Sequence, residues 1–293
     1  MTGTILWFKR DLRVADHPAL ARAAAIGAPV LPLYIVEPGL WAQADADARH
    51  YGFLRESLVD LRGQLDRIGL RLVIRLGEAV PVLEALRAAH GLSHLVSHEE
   101  TGNGWTYARD RAVAAWARGQ GVVWEEVPQS GVVRRLRGRD GWAAGRDAFM
   151  AAAPVVVPAP VAMLDGVASD ALPGAARLGL GADAPQRQRG GRAEGLAVLQ
   201  SFLTARGRDY RRAMSSPSEG ARACSRLSPH LAFGTVSVRE ADQAAAQRAA
   251  QVRGAGDGWA GSVQSFRSRL AWRDHFMQKL EDEPALEYRC LHP

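Results

Sequence analysis

Short apolar runs recur through the first 128 positions, separated by stretches in which apolar residues return every three or four places. Residues 4–8 (TILWF), 30–36 (VLPLYIV), 72–76 (LVIRL), 94–97 (HLVS) and 122–127 (VVWEEV) read as buried strands. After the second run, Tyr51, Leu54, Leu58, Leu61, Leu65 and Ile68 mark the apolar stripe of an amphipathic helix. Further helices are expected from about Ala79 to His90, and across a segment with Trp105, Ala108, Ala112 and Trp116 on one face. The first helix starts at Asp16-His17-Pro18, with Asp16 as the expected cap and Pro18 in the first turn. Strands alternating with helices predict an α/β fold with a doubly wound parallel sheet.

In such a sheet ligands sit at the carboxyl ends of the strands. That singles out loops 9–16, 37–47, 77–78 and 98–105. The last contains Gly102-x-Gly104 but no third glycine at dinucleotide spacing, and the chain has no P-loop. A nucleotide-like ligand held without a glycine-rich loop stays open.

From Pro128 to about Gly190 the periodicity fails, and AAAPVVVPAP with its Gly-, Ala- and Pro-rich surroundings reads as an extended interdomain linker over 129–190, part of which must pack because PQSGVVRRLRGRDGWAAG holds a tryptophan and an alternating apolar pattern. An α/β domain is therefore expected over 1–128 and a helical one over 191–293. In the latter, Leu196, Leu199 and Leu203 mark one helix, 238–253 another, and 262–280 a last long one with Val263, Phe266, Leu270, Met277 and Leu280 at helical spacing. Trp272, Arg273, His275 and Phe276 lie on or beside that apolar face.

Composition narrows the class. No apolar run reaches about 18 residues, and MTGTILWFKRDLR lacks a signal-peptide core. A soluble, cytoplasmic, monomeric protein is the expectation. Cys224 and Cys290 are the only cysteines and stand in no ligand spacing, so neither a disulfide framework nor a metal site is expected. The net charge of +6 is uneven: residues 1–128 hold 14 Lys/Arg against 15 Asp/Glu, and the remainder 23 against 16. A basic second half fits a polyanionic partner.

Between two helical patterns in that half lies YRRAMSSPSEGARACSRLSPHLAFGTVSVRE, residues 210–240, rich in arginine and hydroxyl donors. Such donors suit a phosphate or diphosphate. Without further information Trp272 reads as core, Arg10 with Asp11 as an ion pair between layers, and His98 and His275 as hydrogen-bonded residues with no metal-binding partner.

WFKRDLRVADHPAL, EETGNGWTYARD, PQSGVVRRL with RDGW, the glycine-led helix from Gly190 to Phe202, SRLSPHLAFGTVS and LAWRDHFMQKLEDEP stand in one order along the chain. In all six the chain resembles the photolyase and cryptochrome family. The resemblance implies an antenna domain followed by the first part of an all-helical FAD-binding domain, with Tyr210, Ser225, Arg226, Leu227, Ser228 and Arg273 contacting FAD. It implies that Trp272 packs against damaged pyrimidines in DNA, beside Arg269, and that an antenna chromophore of folate or deazaflavin type is bound. The implied activity is that of a deoxyribodipyrimidine photo-lyase; a cryptochrome-type blue-light receptor and a nucleotide-binding or electron-transfer flavoprotein are the alternatives.

The sequence departs from the family pattern in places. Cys224 replaces the threonine that heads the SRLSP turn, and Arg269 stands where many repair enzymes carry a lesion-contacting glutamate. The chain stops at CLHP, where family members continue, so the expectation is that it encodes part of the flavin site.

Overall fold

The structure is a computed structural model that describes residues 3–156 and 160–290. Positions 157–159 of the expected linker and 291–293 of the CLHP end lie outside the described residues. The chain divides into two compact units, Met1–Gln129 with Val155–Gly191 and Ser130–Pro154 with Arg192–Pro293.

In the first unit β1 (Thr4–Phe8), α1 (Pro18–Ala25), β2 (Val30–Val36), α2 (Pro38–Trp41), α3 (Ala48–Asp66), β3 (Val73–Leu76), α4 (Ala79–His90), β4 (His94–His98), α5 (Gly104–Gln120) and β5 (Val123–Val127) follow in order. The strands form one parallel sheet in the order β3-β2-β1-β4-β5. Thr4 pairs with Val30 on one side and with His94 on the other. β1 and β2 are buried throughout, which is why they read as unbroken apolar runs. The chain fills one side of β1 with β2 and β3, then crosses to the other for β4 and β5. The carboxyl ends of β1 and β4 therefore flank the switch point of the sheet.

The helix faces were only partly those the pattern suggests. Tyr51, Leu54, Leu58, Leu61 and Leu65 are buried on α3 as expected. On α5 the buried residues are Thr106, Arg109, Asp110, Val113 and Ala117, whereas Ala108 and Ala112 are exposed. Ion pairs offset the burial of that charged face, and periodicity of apolar residues cannot register them. The cap of α1 is His17, whose Nδ1 accepts from the Leu20 amide at 2.9 Å, and not Asp16. Asp16 has φ of 47° and spends its Oδ1 on the Val155 amide at 2.9 Å.

The stretch 129–190 is not a free linker. Its second part is bonded to the sheet unit: Val30 exchanges backbone hydrogen bonds with Ala162 and Leu164, Asp170 donates its amide to the Ile74 carbonyl, and Tyr51 donates its hydroxyl to the Pro173 carbonyl. Gly190 sits so close to Phe53 and Ser57 that a Cβ there would collide with the Phe53 carbonyl. The first part belongs to the helical unit. There α6 (Trp142–Ala151) forms, Trp142 donates to the Gly131 carbonyl at 2.9 Å, and Val133 and Gln278 bond through both amide groups of Val133. Irregular chain whose partners lie far away in sequence carries no local period, so it reads as linker.

The helical unit continues with α7 (Arg192–Thr204), a 3-10 turn (Arg206–Asp209), α8 (Tyr210–Ala213), α9 (Gly220–Ala223), α10 (Ser228–Ala232), α11 (Val238–Gln251) and α12 (Trp259–Asp282). Ser237 and Glu240 form a capping box that starts α11. Leu199, Phe202, Tyr210, Leu227, Val236, Val263, Phe266 and Leu270 form its core. Counted by unit, the sheet unit has 17 Lys/Arg and 18 Asp/Glu and the helical unit 20 and 13, so the whole basic surplus lies in the second. Among the described residues no helix is long and apolar enough to cross a membrane.

Candidate functional site

At the carboxyl ends of β1 and β4 the sheet unit buries a dense charge network. Arg109 reaches Glu100 at 2.6 Å, Asp110 at 2.8 Å and Glu37 at 2.9 Å, and its guanidinium lies 4.9 Å from the Trp7 ring centre. Lys9 bridges Asp110 at 3.2 Å and Glu126 at 3.7 Å, and Arg10 binds Glu100 at 3.2 Å. Burial pushes Glu100 up, but Arg109, Lys9 and Arg10 more than offset it and hold it down at about 2. For Glu37 burial prevails over Arg109 and raises it to about 7. Glu37 Oε1 and the indole Nε1 of Trp41 are buried without a hydrogen-bond partner among the described residues. An acceptor and a donor on one short segment are thus left open.

Beside this network Asp11 meets two histidines rather than Arg10. Its Oδ2 lies 2.7 Å from His98 Nδ1 and 3.1 Å from His17 Nε2, and all three side chains are buried. His98 therefore has the partners that sequence spacing concealed, because β1 and β4 are neighbours. The geometry resembles a metal-ligand trio, yet its lone pairs are spent. His17 Nδ1 accepts from the Leu20 amide and His98 Nε2 accepts from the Ala19 amide, which places the ring protons toward Asp11. Burial lowers His17, and lowers His98 to about 3, so both are neutral at pH 7. The trio, an ionised Asp11 held by two neutral histidines, is an anchor for the loop that leaves β1.

In the helical unit the expected site residues fall into two groups. Tyr210 is a core residue, with its ring edge-on to Phe202 at 5.3 Å and 89°. Burial pushes its hydroxyl up, and Cys224 adds to the shift while Arg269 opposes it. The turn after Cys224 places Ser225 half-buried, Arg226 and Ser228 exposed, and the Leu227 side chain in the core. Leu227 can therefore offer a ligand only its backbone. Arg226 has φ of 63° and Leu227 is right-handed at −86°, −10°, a sequence of conformations that turns successive amide N–H groups into one concavity.

The second group lies on α12. Its buried face runs through Val263, Phe266 and Leu270 to Asp274 and Gln278, and turns polar toward its end. Trp272 is not core: it is 53% exposed, with the Arg269 guanidinium 4.4 Å from its ring centre and Phe276, 58% exposed, edge-on at 6.3 Å. Arg273 donates to the Leu231 carbonyl in α10 at 3.2 Å and to Asp274 at 3.3 Å. It is thereby fastened to the helix that follows the turn. Asp274 also receives Arg146 at 3.0 Å, so two arginines share one buried carboxylate. Burial raises Asp274 against the pull of both.

One further residue had no signal in the sequence. Arg206 spreads its guanidinium over the carbonyls of Val198, Arg222, Cys224 and Ser225 and the Ser225 neighbourhood is fixed by it from behind. An arginine that binds carbonyls from several segments has no motif.

Comparisons with known proteins agree with this architecture of a parallel-sheet unit followed by a helical unit. Residues 4–137 match the DNA photolyase family model. The deoxyribodipyrimidine photo-lyase of Streptomyces griseus is 30% identical over 315 aligned positions, covering 100% of this chain and 64% of that relative. Cryptochrome DASH of Arabidopsis thaliana is 39% identical over 104 positions, covering 33% of this chain and 18% of the relative. In fold the chain is similar to an archaeal photolyase from Sulfolobus tokodaii, solved with two FAD molecules, at a TM-score of 0.67 and 24% identity over 99% of this chain and 62% of that one. The chain is thus similar to DNA photolyases and cryptochromes, through residues 4–137 by the family model and over its whole length by the Streptomyces relative. It spans about 64% of the length of the Streptomyces relative.

Proposed function

We propose that this chain contributes the FAD- and DNA-facing residues of a light-driven pyrimidine-dimer repair enzyme. The observation that carries the reading is the turn 224–228, which joins two serine hydroxyls, an exposed arginine and a concave run of amides. Residues 220–228 (GARACSRLS) contain no carboxylate and two arginines, a donor set that fits a diphosphate. Reduced flavin supplies, when bound, the electron that opens the dimer. Ser225, Arg226, the Leu227 backbone and Ser228 hold the diphosphate end, while Arg273, fixed between Asp274 and the Leu231 carbonyl, presents a cation at a set position. Tyr210 supports the turn through the core.

Photolyases take the damaged bases out of the duplex, at a cost of a few kcal/mol that a lesion reduces. The exposed face of Trp272 offers an extruded base roughly 1–3 kcal/mol of stacking, and the basic helical unit supplies phosphate contacts. DNA is accordingly the proposed partner. An antenna chromophore of folate or deazaflavin type is proposed for the sheet unit, on the strength of the open acceptor of Glu37 and open donor of Trp41.

A blue-light receptor is the second reading, favoured by Arg269, a cation where many repair enzymes carry a glutamate, and by the similarity to cryptochrome DASH. The two readings part under one assay. The purified chain with reduced FAD is irradiated with blue light in the presence of single-stranded oligonucleotides holding a cyclobutane dimer. Recovery of intact pyrimidines in the light and not in the dark supports repair; flavin photoreduction with dimers unchanged supports a receptor.

A further inference from the structure

We propose that Arg206 is the positioning residue of the diphosphate-binding turn, fixing its carbonyl side from behind and lending the turn an uncompensated positive charge. The inference rests on the FAD reading above and adds a residue to it. Arg206 opens the 3-10 turn after α7, at a place where the backbone is pressed so close that a Cβ on Gly207 would lie 2.5 Å from the Phe202 carbonyl. Its Nε donates to Ser201 Oγ at 2.9 Å. Nη1 donates to the Arg222 carbonyl at 3.0 Å and the Cys224 carbonyl at 2.7 Å, and Nη2 to those of Val198 at 3.2 Å and Ser225 at 3.3 Å. One planar fork thus ties the last turn of α7 to both ends of the segment 222–225.

Two features separate this residue from Arg109, Arg146, Arg187 and Arg192. Each of those four ends on a carboxylate. Arg206 ends on carbonyls and has no carboxylate within ion-pair distance among the described residues. Burial lowers its pKa and the neighbouring Arg226 lowers it further, which marks a local excess of positive charge. The second feature is direction. The left-handed Arg226 followed by the right-handed Leu227 turns their amides into one concavity, while Arg206 holds the carbonyls of Cys224 and Ser225. There the Leu227 amide donates to Ser225 Oγ at 3.4 Å, a long bond that a phosphate oxygen can replace. The excess charge has an evident counterpart in a ligand with two phosphates.

The test compares FAD with riboflavin, which has the same ring and no phosphate, by fluorescence titration of the wild type, Arg206→Met and Arg206→Lys at low and high salt. The wild type is expected to prefer FAD. Arg206→Met is expected to lose about tenfold or more in FAD affinity with riboflavin affinity unchanged, and its FAD binding to be less weakened by salt. Arg206→Lys keeps the charge and loses the fork, so it is expected to retain the salt dependence with a smaller loss. If FAD and riboflavin affinities fall together, Arg206 is only a structural tie and the proposal fails. It fails equally if neither changes while the wild type prefers FAD. A wild type that does not prefer FAD removes the diphosphate reading itself and the inference with it.

Discussion

The switch point of the sheet unit and the turn 224–228 of the helical unit treat charge in opposite ways. At the switch point of the sheet, Lys9, Arg10 and Arg109 face Glu37, Glu100, Asp110 and Glu126, and a Glu37 raised to about 7 brings the two sides near balance. Behind the turn 224–228 of the helical unit, Arg206 has no carboxylate within ion-pair distance among the described residues, and Arg208, Arg211, Arg212, Arg222 and Arg226 stand within the next twenty positions against Asp209 and Glu219. Compensated charge holds a loop in place without help. Charge left uncompensated is stable where an anion from outside completes it.

That contrast can be broken from either side. The largest effect is expected in the sheet unit: Arg109→Met strands Glu37 and leaves Glu100 and Asp110 to Lys9 and Arg10 in a dry site, and should cost about 3–5 kcal/mol, read as a lowered urea midpoint. A cost below about 1 kcal/mol would show that the network is solvated and its balance irrelevant.

Next comes pH. His17 and His98 stay neutral in the folded chain, so below the ordinary histidine value of 6.5 the unfolded chain takes up protons that the folded one refuses, down to about 3 for His98. Stability should therefore fall as pH drops through that window, by at most about 1.4 kcal/mol per pH unit for each histidine. Asp11 adds to the loss below its ordinary 3.8: burial raises it, and the hydrogen bonds to His17 and His98 bring it well below that value. Glu37 acts with the opposite sign, because its raised pKa keeps a proton on the folded chain between 4.5 and about 7 and its contribution is lost as pH rises. Denaturation midpoints at pH 4.5, 6 and 7.5, with Glu37→Gln as a control that steepens the acid loss, would check both signs. A flat profile contradicts the two neutral histidines.

A smaller effect belongs to α12. Trp272→Ala should change folding stability by no more than about 0.5 kcal/mol, because the ring is half exposed. It should weaken binding of a dimer-containing single strand by roughly 1–3 kcal/mol, measured by fluorescence anisotropy. The smallest stability effect is expected of Arg226→Ala, within about 0.5 kcal/mol unless its left-handed φ is disturbed. A large loss of stability in either variant would make these residues part of the core rather than of a binding face.

The sheet was legible because its strands are buried on both faces, and TILWF or VLPLYIV can hardly be anything else. The turn 224–228 was legible as a candidate because hydroxyls and arginines crowd together there. What sequence concealed shares one physical cause, distance along the chain. Asp11 finds His98 across the sheet, Arg109 finds Glu37, and the segment 155–191 draws its order from β2, β3 and α3. Trp272 was misjudged for another reason. Its neighbours three and four positions away are Ser268, Arg269, His275 and Phe276 and not the buried Phe266 and Leu270, and periodicity alone cannot say which side of an aromatic-rich helix faces out.

Amide hydrogen exchange of the chain with and without FAD tests the central claim most directly, because it asks which backbone the cofactor touches. The account predicts added protection at residues 224–228 and 269–273, with the switch-point loops of the sheet unit unchanged. Protection confined to the sheet unit, or none anywhere at saturating FAD, would contradict it.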